Sequence, residues 1–465
     1  MLDLKYGRYV AKGGSSASCV GVGRGFADKS EAKKEGLRKK TWPLVIYLFF
    51  FFYAPPLLPI VNCFLLVSLY SAVALLIRYQ DVLTFLVRGT GAGKYLAGIG
   101  YYLTYFTLLI GATLLAGEQG YWSNYLTSYY SVILMGPCCA TCALYAVARF
   151  RSLGYGLADA MVCMIKAGLI QSALAILAFA DANIRSFFVD IMKANTGDVI
   201  FSNRDALSWR FYGFSNSMLD LFGYTSGLIA SLPLYLVALD PKRKGWLLSL
   251  PFLIAVPMLN SRSGLVIFAI LAFVLALYSI ARNARSIASM PFVLVLVILL
   301  AIMLYSIVQA VAPATASWIT MDLDYLLQGE QSITGRQLFS ERFWELPPDI
   351  LLLSGTSHNR YLVEGFSHTD VGYVNELWRT GIIGSALMYG THLFLLSRAC
   401  KAADNGAVKA LLVAFGLSLF VMQVKGNVFV YTGGMGLIQT MSFLATLNGA
   451  QDLPLCDSVQ RQKAR

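Results

Sequence analysis

Uninterrupted apolar runs of roughly 17 to 25 residues recur along this chain, and runs of that length can cross a bilayer as α-helices. They lie at about 43–58, 61–77, 95–115, 126–148, 160–180, 217–239, 246–259, 264–281, 291–312, 372–396, 408–424 and 428–447. Only 13% of the residues are charged, against about 25% in an ordinary soluble protein. Tyr (26) and Phe (28) are abundant, as suits rings that sit at headgroup level. The expectation is an all-α, polytopic membrane protein with about twelve spans. The first two runs share Pro55, Pro56 and Pro59 and are cramped, so short, tilted or re-entrant helices are expected there. The run ending at Asn260 is also short, which membrane depth tolerates only where protein or a wet cavity lines it.

Lys and Arg order the spans. Ten cations, from Lys5 to Lys40, precede the first run, and cytosolic loops carry such an excess. With residues 1–42 as a cytosolic tail, the connections bearing Arg78/Arg88/Lys94, Arg149/Arg151, Lys242/Arg243/Lys244, Arg282/Arg285 and Arg398/Lys401/Lys409 fall on the same side. Gly117–Tyr125, on the other face, holds no Lys or Arg. The expected organisation is a membrane region over 43–312 with an outer loop near 181–216, a large outer loop over 313–370, a second membrane region over 371–447, and a cytosolic tail over 448–465.

Several function classes drop out. Half of the net charge of +12 lies in the N-terminal tail, the pattern of a solvated cytosolic arm rather than a nucleic-acid surface. Gly21-Val22-Gly23-Arg24-Gly25 leads into no helix or strand pattern, so it is no phosphate loop. No short apolar core with a small-residue cleavage site opens the chain, so no cleaved signal peptide is expected. All eight cysteines map to spans or the cytosolic side, which leaves no outer disulfide framework. Cys139-x-x-Cys142 has metal-like spacing without a nearby His and reads as helix packing. No metal or cofactor is expected, and no internal repeat suggests a carrier of two related halves.

The outer-face residues are more informative, because cations on the disfavoured side ask for a reason and an anionic ligand supplies one. Arg262 stands in Asn260-Ser261-Arg262-Ser263-Gly264, a turn where a serine can cap the following helix and turn its N–H groups outward. A guanidinium beside such an end suits a phosphate, although an arginine snorkelling to the headgroups would look the same. Arg336 follows Ser332-Ile333-Thr334-Gly335 and precedes the aromatic-rich 337–345. Arg210, beside Trp209 and Tyr212, serves equally as an interfacial anchor. His358 and Arg360 lie in Gly355-Thr356-Ser357-His358-Asn359-Arg360. His368 and Asp370 lead into Val371-Gly372-Tyr373, where either could take a hydroxyl proton and Asp370 could equally be a helix N-cap. Glu376, one turn beyond Tyr373, and Arg379 belong near the same outer end. His392, deep in that span, reads as a packing or hydrogen-bonding residue.

Taken together, the many spans, the Ser-Arg-Ser-Gly turn, the Thr-Gly-Arg of the large loop, and Arg360-Tyr361, Asp370-Val371-Gly372-Tyr373 and Gly381-Ile382-Ile383-Gly384 resemble the bacterial O-antigen polymerase (Wzy-type) and O-antigen ligase superfamily. The likeness is architectural over about 43–447, with motifs confined to about 204–227, 260–265 and 332–384. The resemblance implies a metal-independent, GT-C-like glycosyltransferase of the bacterial inner membrane with both termini cytosolic. Its substrate would be an undecaprenyl-pyrophosphate-linked oligosaccharide taken on the periplasmic face, with a chain-length regulator and a flippase as partners. Arg262, Arg336 and Arg210 would then hold the pyrophosphate. Tyr373, His358, Arg360 and Glu376 would contact substrate, and the base would come from His368 or Asp370. The Asp-Val-Gly-Tyr element is polymerase-like. The alternatives are a ligase acting on lipid A core or protein, and a flippase for the lipid-linked sugar.

Overall fold

At membrane depth every backbone polar group needs an internal partner, which helices provide. The computed structural model describes residues 41–56, 63–79, 134–196, 211, 213–215, 219–282, 290–328, 344–347, 351–355, 371–430 and 432–448. Among these the regular structure is all helical, with no strand. The described residues from Leu44 onward form one compact unit. In chain order the helices are α1 (Trp42–Tyr53), α2 (Cys63–Arg78), α3 (Cys139–Ser152), α4 (Leu157–Ala180), α5 (Ala182–Thr196), α6 (Leu219–Leu239) and α7 (Leu250–Asn260). They continue with α8 (Arg262–Arg282), α9 (Met290–Val311), α10 (Pro313–Leu327), the single turn α11 (Leu351–Ser354), α12 (Gly372–Ala402), α13 (Gly406–Met422) and α14 (Thr432–Asn448).

Among the described residues, four helical stretches are by length and composition able to cross a membrane: Leu157–Ala180, Leu221–Leu239, Arg262–Arg282 and Gly372–Ala402. The expected span at 95–115 lies outside the described residues. The two cramped runs at the start are indeed short helices, α1 of 12 and α2 of 16 residues. The short run before Asn260 is α7, only 11 residues long, preceded by a 3₁₀ stretch over Pro241–Ser249. Nearly every α7 side chain is buried, the protein lining that a short helix needs at that depth.

Helix α6 is the axis. It packs against α4, α7, α8, α13 and α14. Its Gly223 and Gly227 stand four apart, the spacing that lets two helix backbones meet. A Cβ added at Gly223 would lie 2.5 Å from the Ser261 Cβ, and one at Gly264 would lie 2.6 Å from the Gly223 carbonyl oxygen. Further along, the Tyr235 hydroxyl donates to the Leu271 carbonyl at 2.8 Å, so α6 and α8 run parallel. Helix α13 runs against them, because Gly406 abuts Tyr278 and the Tyr224 and Ser418 hydroxyls bond at 3.2 Å.

These contacts sort the connections into two ends. At one end lie Arg149 and Arg151, the Lys242–Lys244 stretch, Arg282, and the α12–α13 junction with Arg398, Lys401 and Lys409. Arg243 clasps this end by pairing with Asp159 at 2.7 Å and Asp240 at 3.1 Å. Partial burial pulls its guanidinium down, but the bonds from Asp159 and Asp240 outweigh that and hold its pKa above the usual value. At the opposite end lie Tyr53, whose carbonyl accepts from Ser215 at 3.0 Å, the Ser261 turn, and the chain entering α12.

Two polar segments expected to be loops carry helix. Asp181 opens α5 by accepting from the Asn183 amide at 2.7 Å, an N-terminal cap. Pro313 begins α10 directly after α9, with only Ala312 between them. Proline suits a first helical position, where its missing N–H costs nothing.

Candidate functional site

The Ser-Arg-Ser-Gly turn is held by its buried neighbours. The Ser261 amide donates to the Pro257 carbonyl at 2.7 Å, and the Gly264 amide donates to the Ser261 carbonyl at 3.0 Å. The Asn260 side chain donates to the Val256 carbonyl at 2.8 Å. Ser261, expected with Ser263 as a candidate cap of the following helix, ends α7 with extended backbone, and its hydroxyl pairs with that of Ser263. Asn260, Ser261 and Ser263 are buried, whereas Arg262 keeps partial exposure. With Gly264 seated on α6, the turn presents a fixed arginine at the first residue of a long helix. That combination suits an anion, because a helix N-terminus and a guanidinium both favour negative charge.

The second element is the entry to α12. Asp370 is not its N-cap: Val371 occupies that position, with φ −66° and ψ 109° and no side-chain cap bond. The expected cap fails because the helix begins one residue later than the Asp-first reading requires. Asp370 itself, His368, His358, Arg360, Arg336 and Arg210 lie outside the described residues.

Within α12 the chain reverses. Gly381 has φ 63° and ψ −170°, a conformation essentially restricted to glycine. In a straight helix Tyr373 and Tyr389, sixteen positions apart, would be separated by about 24 Å. Their ring centroids are 5.6 Å apart. The first arm, 372–380, therefore folds back beside the second, 382–402, and only the second arm remains as a span. This corrects the expected span at 372–396, whose opening third is the fold-back arm.

The large loop clamps the bend. A Cβ at Gly355 would lie 2.6 Å from the Arg379 carbonyl and the Gly381 nitrogen, so α11 ends in backbone contact with the reversal. The Trp378 indole N–H donates to the Glu345 carbonyl at 3.0 Å.

Glu376 and Arg379 form a buried ion pair on the fold-back arm at 3.5 Å, with side-chain exposures of 0% and 5%. The Thr380 hydroxyl donates to Glu376 at 2.9 Å, and both charged residues have further partners. Glu376 thus faces Arg379 rather than solvent. Tyr373 is also engaged: its amide donates to the Gln423 carbonyl at 3.3 Å and its hydroxyl to the Phe420 carbonyl at 2.8 Å. His392 is buried edge-on to Phe429 at 4.9 Å, with Nδ1 2.8 Å from the Met388 carbonyl. That is the packing role its place in the sequence suggests.

The sequence reading passed over Gln423. It is fully buried where α13 ends. Its Nε2 donates to the Tyr389 hydroxyl at 3.1 Å and to the Asn427 side chain at 3.2 Å. Its Oε1 accepts from the Val428 amide at 3.1 Å. A glutamine at the end of an otherwise apolar run was the available signal.

Cys142, of the Cys-x-x-Cys pair, is buried against Ser68, hydroxyl to sulfur 3.3 Å. Among the described residues no three His, Cys, Asp or Glu side chains gather as a metal site. These features define an all-α protein with helices of membrane-spanning length and composition, and with a basic turn and a fold-back arm at one end. No known family model matches the chain, and no curated protein matches its sequence.

Proposed function

We propose that this chain is a polysaccharide repeat-unit polymerase of a bacterial inner membrane, GT-C-like, with about twelve spans and both termini in the cytosol. It transfers an undecaprenyl-pyrophosphate-linked glycan to a sugar hydroxyl of a second lipid-linked repeat. The observation that carries this reading is the shared end of the bundle. Arg262 and the arm that directly follows Asp370 lie together, opposite the end where the short basic connections gather.

The chemistry asks for little else. A glycosyl diphosphate is already activated, so no nucleotide fold is needed. The acceptor oxygen forms a bond to the anomeric carbon as the bond from that carbon to the diphosphate breaks. The acceptor's proton passes to a base from the His368/Asp370 segment, and the lipid diphosphate leaves with the bonding pair. Charge grows on the leaving diphosphate, and Arg262, with Arg336 and Arg210, offsets it. Removing one such fixed donor typically costs about 2.7–4 kcal/mol, or about 10²–10³ in rate.

The test is Arg262→Ala and Arg336→Ala in cells at unchanged protein level. Glycans of a single repeat are expected on a gel of surface polysaccharide. Full-length polymer from both variants would refute the assignment, and transfer to lipid A core or protein would make the chain a ligase instead.

A further inference from the structure

Three regions at the outer end remain to be assigned a role: the fold-back arm, the outer part of its second arm, and the turn from Gln423 to Val430. One residue joins all three. Gln423 accepts from the Tyr373 amide through its backbone carbonyl, donates through its side chain to Tyr389 and Asn427, and accepts from the Val428 amide. Gly372 leaves no room beside it. A Cβ there would lie 2.7 Å from the Gln423 side-chain carbon and 2.6 Å from the Gly426 carbonyl oxygen.

We propose that Gln423 is a positioning residue, a latch that fixes the start of the fold-back arm against the end of α13, and with it the point where the chain of the Asp370 segment joins the arm. This rests on the polymerase reading. The argument is one of distance along the chain. Gly372 and Tyr373 are the first residues of the arm, and Asp370 precedes Gly372 by two positions. Whatever sets Gly372 and Tyr373 against α13 therefore sets the starting point of the segment that carries the candidate base. A buried amide satisfied on both its donor and acceptor sides specifies one arrangement, because any shift strands a polar group without water. An error of about 1 Å in such a placement costs on the order of 10²-fold in rate.

The chemistry of the latch makes it separable from simple packing. Gln423→Glu, whose carboxyl stays protonated at so buried a site, keeps an acceptor for Val428 and an O–H donor for Tyr389 or Asn427. Gln423→Met keeps the volume and loses every side-chain bond. Three measurements on the purified full chain decide the matter: elongation of lipid-linked repeats extracted from a strain lacking this protein, binding of inorganic pyrophosphate, and amide exchange over 372–380.

For Gln423→Met, turnover falls at least tenfold, exchange over 372–380 quickens, and pyrophosphate binding stays within about threefold of wild type. Gln423→Glu retains turnover and slow exchange. Unchanged exchange in Gln423→Met would overturn the latch, as would unchanged turnover. Loss of pyrophosphate binding in step with turnover would reduce Gln423 to a folding residue and overturn it equally. A Gln423→Glu chain as inactive as Gln423→Met would do the same. A wild-type chain that binds pyrophosphate and lengthens nothing sinks the polymerase reading and the positioning role with it, while exchange still reports whether the latch holds the arm.

Discussion

Gly381→Ala separates two descriptions of α12 by the sign of its effect. In a continuous helix, alanine is preferred to glycine by about 0.8–1.0 kcal/mol, so the substitution would stabilise. In the fold-back, Gly381 sits at φ 63° and ψ −170°, and a non-glycine residue there costs about 1–3 kcal/mol in backbone strain alone. The new Cβ would also meet the Leu353 carbonyl oxygen and approach the Gly355 nitrogen to 2.7 Å. These are backbone atoms that no side-chain rotation moves aside. Strain and clash act together, so a loss of at least about 2 kcal/mol is expected. The assay is thermal unfolding of the full chain in detergent, with Gly390→Ala on the second arm as control, because a Cβ there meets nothing within 4 Å. The midpoint should fall for Gly381→Ala and hold or rise for Gly390→Ala. A rise for Gly381→Ala would show that the chain runs straight through and that the fold-back is wrong.

Other outcomes follow from the same contacts. Glu376→Gln removes the carboxylate that faces the buried Arg379 charge and should destabilise by about 3–5 kcal/mol, whereas Glu376→Gln with Arg379→Met should recover much of that loss in the same unfolding assay. Gly223→Leu forces α6 away from the Ser261 turn, so under the proposed polymerase function polymer length in cells should collapse although every candidate ligand residue is intact. Trp378→Phe removes the donor to the Glu345 carbonyl, and limited proteolysis of the large loop should quicken. Single cysteines at Lys244 and Lys425 in a cysteine-free chain should react with an impermeant thiol reagent from opposite faces of the membrane. Labelling from one face would refute the two-ended arrangement.

Helix positions were largely legible in the sequence. The runs at 160–180 and 291–312 became Leu157–Ala180 and Met290–Val311, because hydrocarbon-length apolar stretches admit few alternatives. The tight turn at Arg262 was legible too, since Asn-Ser-Arg-Ser-Gly interrupts two such stretches. The reversal at Gly381 was not. Arg379-Thr380-Gly381-Ile382 keeps an apolar pattern on its far side, and a glycine inside a helical pattern is tolerated often enough to hide a positive φ. The α6–α8 contact was legible in principle, as Gly223 and Gly227 have the spacing for close packing. Helix α10 was hidden by its polarity, although Pro313 offered a start signal. The role of Gln423 depends on partners from other elements, which no local pattern reports.

The fold-back has a consequence for biosynthesis. Its start is held by Phe420 and Gln423, which are made after it, whereas Glu345 and Gly355, which hold its far end, are made before it, so the arm with Glu376 and Arg379 enters the membrane region held only at the bend. Those two charges disfavour insertion as part of a straight span. The start of the arm is therefore fixed only when the end of α13 arrives, and assembly of this end of the bundle is a late event. A nascent chain halted before Gly406 should carry its earlier helices and yet leave the start of 372–380 open to protease.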